Sequence, residues 1–304
     1  MKSICNKAKF GTAGFPVNFF ADKAGGGKNR DNIFVWLQNK GLNALELQCT
    51  YGIKMKDDQA VKYRKLAEEY GIYLSIHAPY YISLASKNKE VVERSKQEVV
   101  KGFKLAGLLD ATRIIFHPGG GYGKGEAERK AGLQQLIDAL NEVGKQLDTS
   151  RIRIYPEIGG KVNQLGSLDE IIEICKQVKY ARPCLDLAHL HARENGSLKS
   201  KESIVKALKK VETELGRTAL EETHFHMYPV SYGAGGEQAH KTFAERIETS
   251  QINLFESDDR YYPRAEDYIA AIKELKLSPV TICEAHNTQD VGAMLMKEFW
   301  EHGI

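Results

Sequence analysis

The feature that most limits the fold of this chain is a regular alternation of short apolar runs with amphipathic helical patterns. In chain order the eight apolar runs are KFGTAGF, ALELQC, YLSIHAP, RIIFHPG, IRIYPEI, PCLDLAHL, THFHMYP and VTICEA. The segments between them place apolar residues at three- and four-residue spacing, which indicates helices with one buried face. Eight strands alternating with helices over 304 residues predict an α/β protein, a (β/α)₈ TIM barrel in which residues 1–304 form a single domain.

A doubly wound parallel sheet is the other architecture that gives this alternation. That fold usually carries a glycine-rich phosphate-binding turn, G-x-G-x-x-G, directly after its first strand. The first apolar run and its flank here read FGTAGFP, which does not match that pattern. The sequence therefore favours the barrel.

Composition adds limits on location and partners. The net charge is +3 with a pI of about 8.4, far from the strongly basic profile of a histone-like DNA binder. The five cysteines include no C-x-x-C pair and predict reduced thiols in a cytoplasmic protein. The start of the chain lacks the apolar core of a signal peptide, and no apolar run approaches the ~20 residues of a membrane span. We expect a cytoplasmic protein without a membrane partner, and a monomer.

Polar side chains recur inside the apolar runs, mostly where each predicted strand ends. Parallel strands of a barrel place their carboxyl ends on one rim, where active sites of this fold are built. The candidate residues of runs three to eight are His77, His117, Glu157, Asp186, His189, His191, His224, His226 and Glu284.

This set points to a metal centre. The chain has nine histidines, and six of them belong to this set, whereas a random distribution would have placed many of them in the helical segments. A single histidine at a strand end is more often hydrogen-bonded structure than a ligand, but imidazoles and carboxylates together are what first-row divalent metals bind. More than four candidate ligands imply more than one metal, and clustered metals suit phosphoryl chemistry. For His191, a role as partner of a ligand and a structural role remain equally open.

The motifs carrying these residues resemble those of the endonuclease IV family. They are SIHAPYYISLAS, IIFHPGG, PEIGGKVNQLGSLDE, LDLAHLHAR, HFHMYP followed by GGEQAH, and ICEAHNTQDVGAM. The match in order and flanking residues runs from roughly residue 8 to residue 298. Members of that family are metal-dependent apurinic/apyrimidinic endonucleases with a TIM barrel and three metal ions, usually zinc.

The resemblance implies a role for each candidate ligand. It makes His77 and His117 ligands of a first metal and Glu157 a bridge to a second metal. The remaining ligands of the second metal are then Asp186, a histidine of the seventh strand and Glu284.

For the third metal, the resemblance implies His189 and His240 as ligands. The best-known members of the family carry an aspartate two residues before the second of these histidines, whereas this chain has Gln238 there. Either Glu237 supplies the carboxylate, or the third metal is weak or absent. The family also places a residue near the flipped-out abasic site where this chain has Tyr80.

The seventh strand offers two histidines, His224 and His226, where the family usually offers one ligand. Side chains alternate along a strand, so both histidines point to the same face. His226 is the preferred ligand, because it lies nearer the carboxyl end of the strand. His224 stays a second candidate.

The function implied by the resemblance is hydrolysis of a DNA phosphodiester 5′ to an abasic site in base-excision repair. Glu157 and Glu284 would be the catalytic carboxylates, and the cofactors would be two or three Zn²⁺ ions, with Mn²⁺ in part of the sites as an alternative. DNA containing abasic sites would be the partner.

The long connection from Val230 to Tyr262 is a candidate DNA contact or lid. Candidate phosphate contacts, each more often a plain surface charge, are Lys124, Arg193 and Lys241.

Two other functions fit parts of the pattern. A sugar isomerase or epimerase of the xylose-isomerase-like superfamily would bind one divalent metal through Glu157, Asp186, His226 and Glu284. The additional histidines at 77, 117, 189 and 240 argue against it, because one metal cannot use them all. A nucleic-acid- or metal-binding barrel without activity is supported only by Gln238.

Overall fold

The computed structural model of this protein describes residues 8–243 and 262–303. Its main sheet has eight parallel strands, which are β1 Lys9–Ala13, β2 Ala44–Gln48, β3 Tyr73–His77, β4 Arg113–Phe116, β5 Arg153–Pro156, β6 Cys184–Asp186, β7 His224–His226 and β10 Val280–Cys283. Their order in the sheet is β5-β4-β3-β2-β1-β10-β7-β6.

Two isolated parallel bridges join the edge strands β5 and β6 and turn the sheet into a barrel. They pair Ile154 with Ala181 and Glu157 with Cys184. The predicted (β/α)₈ TIM barrel is therefore confirmed, and each of the eight apolar runs contributes one barrel strand.

Helices surround the barrel and bury their apolar faces against it, as the spacing predicts. Several ends follow the expected capping rules: Ser167 caps one helix with a reciprocal contact to Glu170, and Gly71 ends another in the left-handed conformation at φ 68°. The helices are α1 Val17–Ala21, α2 Ile33–Asn39, α3 Asp57–Tyr70, α4 Lys89–Leu109, α5 Glu126–Gly144, α6 Leu168–Gln177, α7 Leu187–Arg193, α8 Lys201–Leu215, α9 Arg217–Glu221, α10 Ala265–Glu274 and α11 Gln289–His302. None of these described helices combines the length and the apolar character needed to cross a membrane.

The sixth apolar run differs from the prediction of one continuous strand. Only Cys184–Asp186 is strand, and the helix α7 begins at the next residue. Asp186 caps that helix, since its Oδ1 accepts a hydrogen bond from the backbone N–H of His189 at 2.7 Å. His189 and His191 therefore lie on a helix and not on a strand, because an aspartate followed by good helix formers starts a helix.

Part of the long connection after β7 is an antiparallel hairpin. Its strands are β8 Val230–Gly233 and β9 Gly236–His240, and they place Glu237 and His240 over the rim. Residues 244–261, which hold most of the predicted lid or DNA contact, lie outside the described residues.

Candidate metal centre

Three groups of candidate ligands meet at the carboxyl rim of the barrel. Within each group the ligand atoms all lie within 4.8 Å of one another, and Glu157 belongs to two of the groups. The groups are His77, His117 and Glu157; Glu157, Asp186, His226 and Glu284; and His189, Glu237 and His240. The structure thus brings together the eight ligands expected from the sequence, with Glu237 as a ninth.

Glu157 is the centre of this arrangement, and its side chain is fully buried. Oε2 lies 3.0 Å from Nε2 of His77 and 3.3 Å from Nδ1 of His117. Oε1 lies 2.7 Å from Nδ1 of His226. One carboxylate oxygen thus faces the first group and the other faces the second group, which is the arrangement that a bridging carboxylate needs.

The second group lies at the ends of β6, β7 and β10. Nδ1 of His226 is 3.8 Å from Oδ2 of Asp186 and 3.7 Å from Oε1 of Glu284. The hydroxyl of Tyr228 donates a hydrogen bond to Oδ2 of Asp186 at 2.9 Å, while Oδ1 caps α7. Asp186 is therefore held from two sides by the protein itself.

In the third group Glu237 lies between two imidazoles. Its Oε2 is 3.2 Å from Nε2 of His189, and its Oε1 is 3.1 Å from Nε2 of His240. Gln238 is exposed, because the register of the hairpin shifts between Ser231 and Tyr232 and leaves Gln238 as the extra, unpaired residue of a bulge. A Cβ on Gly160 would come within 2.5 Å of Oε2 of Glu237 and 2.7 Å of Cδ2 of His189, so only glycine allows this close approach.

The imidazole and carboxylate donors of these groups fit divalent metal ions. Backbone carbonyls orient three of the imidazoles so that Nε2 faces the group. Nδ1 of His77 lies 2.9 Å from the carbonyl of Ala78, and Nδ1 of His189 lies 2.9 Å from that of Ile158. Nδ1 of His240 lies 2.8 Å from the carbonyl of Glu284. A carbonyl only accepts, so each Nδ1 carries a proton, and in the neutral ring the lone pair of Nε2 faces the group.

The pKa values of these side chains show that the carboxylates and imidazoles compensate one another's charge. Burial by itself would raise the pKa of Glu157, but the neighbouring imidazoles hold it well below its usual range. Burial by itself would lower the pKa of His189, but Asp186 and Glu237 raise it to about 10. The pKa of His77 is likewise raised to about 9, because Glu157 outweighs the effect of burial. Divalent ions would take over the role of these protons, since histidine ligands bind metal in the neutral form.

Glu46 is the residue at this centre that sequence reasoning missed. It lies in the middle of β2, is fully buried, and places Oε1 3.1 Å from Nε2 of His226 and Oε2 3.0 Å from Nε2 of His224. These are short contacts that are not aligned as hydrogen bonds. A glutamate inside the apolar run ALELQC was the available signal.

His224 faces the same interior as His226 but lies deeper in the barrel. Its nearest acidic partner is Glu46; it is absent from the group that contains Asp186 and Glu284, and its ligand atoms cluster instead with those of Glu46 and His226. Burial lowers the pKa of His224 to about 4, so its ring is neutral near pH 7.

Other predicted residues lie outside the three groups. Tyr80 is 60% exposed on the rim after β3, with its ring centroid 6.0 Å from that of Tyr51. His191 is buried in the packing of α7 against the hairpin, where its Nδ1 accepts from the backbone N–H of Leu198 at 3.0 Å. Its ring lies 5.1 Å from that of Tyr232, which indicates a structural role.

The candidate phosphate contacts differ in their surroundings. Lys124 is exposed and Lys241 is half-buried. The guanidinium of Arg193 donates to backbone carbonyls of the segment after β5, at 2.7 Å to Lys161 and 2.9 Å to Gln164. Arg193 therefore holds this segment, and its role as a phosphate contact stays a prediction.

Fold and site together define a TIM-barrel protein with a candidate metal centre at its carboxyl rim. Residues 34–292 match the model of a family described as xylose isomerase-like TIM barrel, so the chain belongs to that family.

Individual relatives agree with this assignment. An uncharacterized protein of Methanocaldococcus jannaschii is 31% identical over 293 residues, which cover 95% of each chain. A protein named probable endonuclease 4 from Halothermothrix orenii is 29% identical over 162 residues, 50% of this chain and 57% of the relative. The crystal structure of a D-tagatose 3-epimerase-like protein shares the fold, with a TM-score of 0.67 at 16% identity and coverage of 97% of this chain and 96% of the other. The resemblance to the endonuclease IV family is thereby confirmed.

Proposed function

We propose that this protein is a metal-dependent hydrolase that cleaves DNA phosphodiesters 5′ to abasic sites, as in base-excision repair. The observation that carries the proposal is the presence of three adjacent ligand groups, two of which share Glu157. A single metal would use the four residues around Asp186 and would leave the other two groups without a role. The relatives named probable endonuclease 4 support the same reaction class.

The ligand sets fit two or three zinc ions, with Mn²⁺ in part of the sites as the alternative. When bound, such ions lower the pKa of a water molecule and stabilise negative charge on a phosphate and on its leaving oxygen. Glu157 fixes the spacing of the first two groups, because each of its oxygens faces one of them. Glu284 closes the second group and orients the attacking water; its side chain is only 12% exposed at the end of β10.

Tyr80 and Tyr51 are proposed to contact the DNA beside the abasic site. Both are large exposed side chains on the rim, and their rings meet edge to face. Aromatic rings on such a rim stack against bases or fill the space of a missing base. The bound DNA would place its abasic nucleotide over the three ligand groups.

A sugar epimerase with one divalent metal is the second candidate. It is favoured by the compact group of Glu157, Asp186, His226 and Glu284, and the fold is shared with a D-tagatose 3-epimerase-like protein.

One experiment separates the two functions. Purified protein is loaded with zinc or manganese, its metal content is measured, and it is offered a duplex with one tetrahydrofuran abasic site and, separately, ketohexoses. Two or three ions per chain and a nick that leaves an extendable 3′-hydroxyl support the nuclease, and an intact duplex of the same sequence is the control. One ion per chain with epimerised sugar and uncut DNA would replace the proposal by the epimerase.

The third ligand group gives a further prediction. We expect Glu237→Ala to lower bound metal by about one ion per chain, because this carboxylate lies between His189 and His240 and no other acidic ligand is in their group. Gln238→Ala, one residue further and facing away, is the control and should keep the full metal content. An unchanged metal content in Glu237→Ala would show that the third group holds no ion or holds it without Glu237.

A further inference from the structure

We propose that Glu46 is a positioning residue for His226: it holds the imidazole through Nε2, so that Nδ1 faces the second ligand group. This inference rests on the proposed metal centre, although not on the identity of the substrate. It concerns a residue of β2 that lies one layer below the rim.

The geometry that carries the inference is a chain of contacts through one imidazole ring. Nδ1 of His226 is 2.7 Å from Oε1 of Glu157, and Nε2 of the same ring is 3.1 Å from Oε1 of Glu46. Both carboxylates and the imidazole are fully buried. The ring therefore links the candidate ligand group to a second carboxylate on its other side.

Glu46 is itself held in place by its neighbours. Ser75, its register partner on β3, donates a hydrogen bond from Oγ to Oε2 at 2.9 Å. Gln48 donates to Oε1 at 3.3 Å, and His224 places Nε2 3.0 Å from Oε2. This set of contacts gives His224 a role as an anchor of Glu46 rather than as a ligand.

Three of the other histidine ligands differ from His226 in how their rings are held, whereas His117 also turns Nδ1 toward Glu157, at 3.3 Å. His77, His189 and His240 each turn Nδ1 to a backbone carbonyl, which fixes ring orientation and leaves Nε2 for the group. The ring of His226 is reversed, with Nδ1 toward the group and Nε2 toward the barrel interior, where Oε1 of Glu46 lies 3.1 Å from Nε2. A carboxylate behind a metal-bound imidazole fixes its tautomer and raises its basicity.

The burial of Glu46 also supports a positioning role for this carboxylate. A buried carboxylate is costly unless it is paired, and apolar residues of similar size often fill such space equally well. Within the described residues the ionisable side chains that lie within 4 Å of the Glu46 carboxylate oxygens are His224 and His226. The partners of this buried carboxylate are therefore imidazoles and not lysine or arginine.

The test is metal binding by Glu46→Gln and Glu46→Leu. Affinities for the individual ions are measured by competition with a chelating dye, and the Co²⁺-loaded proteins are compared by absorption spectroscopy. We expect one ion to bind about 10- to 100-fold more weakly in Glu46→Gln, with a larger loss in Glu46→Leu and a changed Co²⁺ spectrum. Glu68→Gln, which neutralises a carboxylate on the exposed face of α3, is the control and should stay close to the parent.

A double-mutant cycle separates positioning from a general loss of stability. In a His226→Ala background, Glu46→Gln should cause no further change in metal affinity, because its effect passes through that ring. Unchanged affinities and spectra in both Glu46 variants, or equal losses with and without His226, would overturn the proposal. So would an additional ion in the parent that only Glu46 variants lose, since Glu46 would then be a ligand. A parent that binds its ions but leaves abasic DNA uncut would overturn the proposed function and not this inference.

Discussion

The Glu157→Gln variant is expected to lose cleavage of abasic-site DNA by at least about 10³-fold in kcat/KM, or about 4 kcal/mol of transition-state stabilisation. Both oxygens of Glu157 face ligand groups, at 3.0 Å from His77 and 2.7 Å from His226, and an amide offers only one oxygen. The substitution therefore removes both the negative charge of residue 157 and its bridge between the first two ligand groups. Steady-state kinetics on a tetrahydrofuran duplex and elemental analysis measure the two losses.

The fold of Glu157→Gln should survive, because glutamine has the shape of glutamate and keeps most of its packing. Glu68→Gln on the exposed face of α3 is the matched control and should behave as the parent in both measurements. Near-normal turnover of Glu157→Gln with unchanged metal content would show that this carboxylate does not bridge two ions.

The second large effect is expected from a pair of substitutions on β7. His226→Ala should remove cleavage activity and weaken the binding of one ion, because Nδ1 of this ring faces Glu157, Asp186 and Glu284. His224→Ala should keep activity within about tenfold of the parent, because its closest polar contact is Glu46 and it is not in the group of Glu157, Asp186 and Glu284. The two residues share a strand, a face and full burial, so each is a stringent control for the other.

Thermal unfolding of the two metal-free variants completes this comparison. Both substitutions remove a buried imidazole beside Glu46, so both should lower stability, by about 1–3 kcal/mol for the contact left unpaired. Equal metal loss in the two variants, or a larger loss of activity in His224→Ala, would contradict the choice of His226 as the ligand.

The sequence alone determined the barrel and most of the candidate centre. Alternating strand and helix patterns are local properties of a chain, and a parallel barrel gathers the carboxyl ends of its strands on one rim. Residues such as His77, His117 and Glu157 lie near the carboxyl ends of the apolar runs, so their convergence could be predicted without coordinates. The helix α7 could also have been predicted from the sequence, since Asp186 is a good helix cap before a run of helix-forming residues.

Contacts across the barrel interior were decided by the tertiary structure only. Glu46 on β2 and His226 on β7 are separated by β1 and β10 in the sheet, so no local pattern relates them. The same holds for Glu237, which reaches His189 because the hairpin register turns it inward and Gln238 outward. The contacts of Arg193 could not be predicted either, because its carbonyl partners belong to the segment after β5 and come close to it only in the folded chain. Spacing along the chain fixes which face a side chain occupies, whereas barrel closure fixes which distant side chain it meets there.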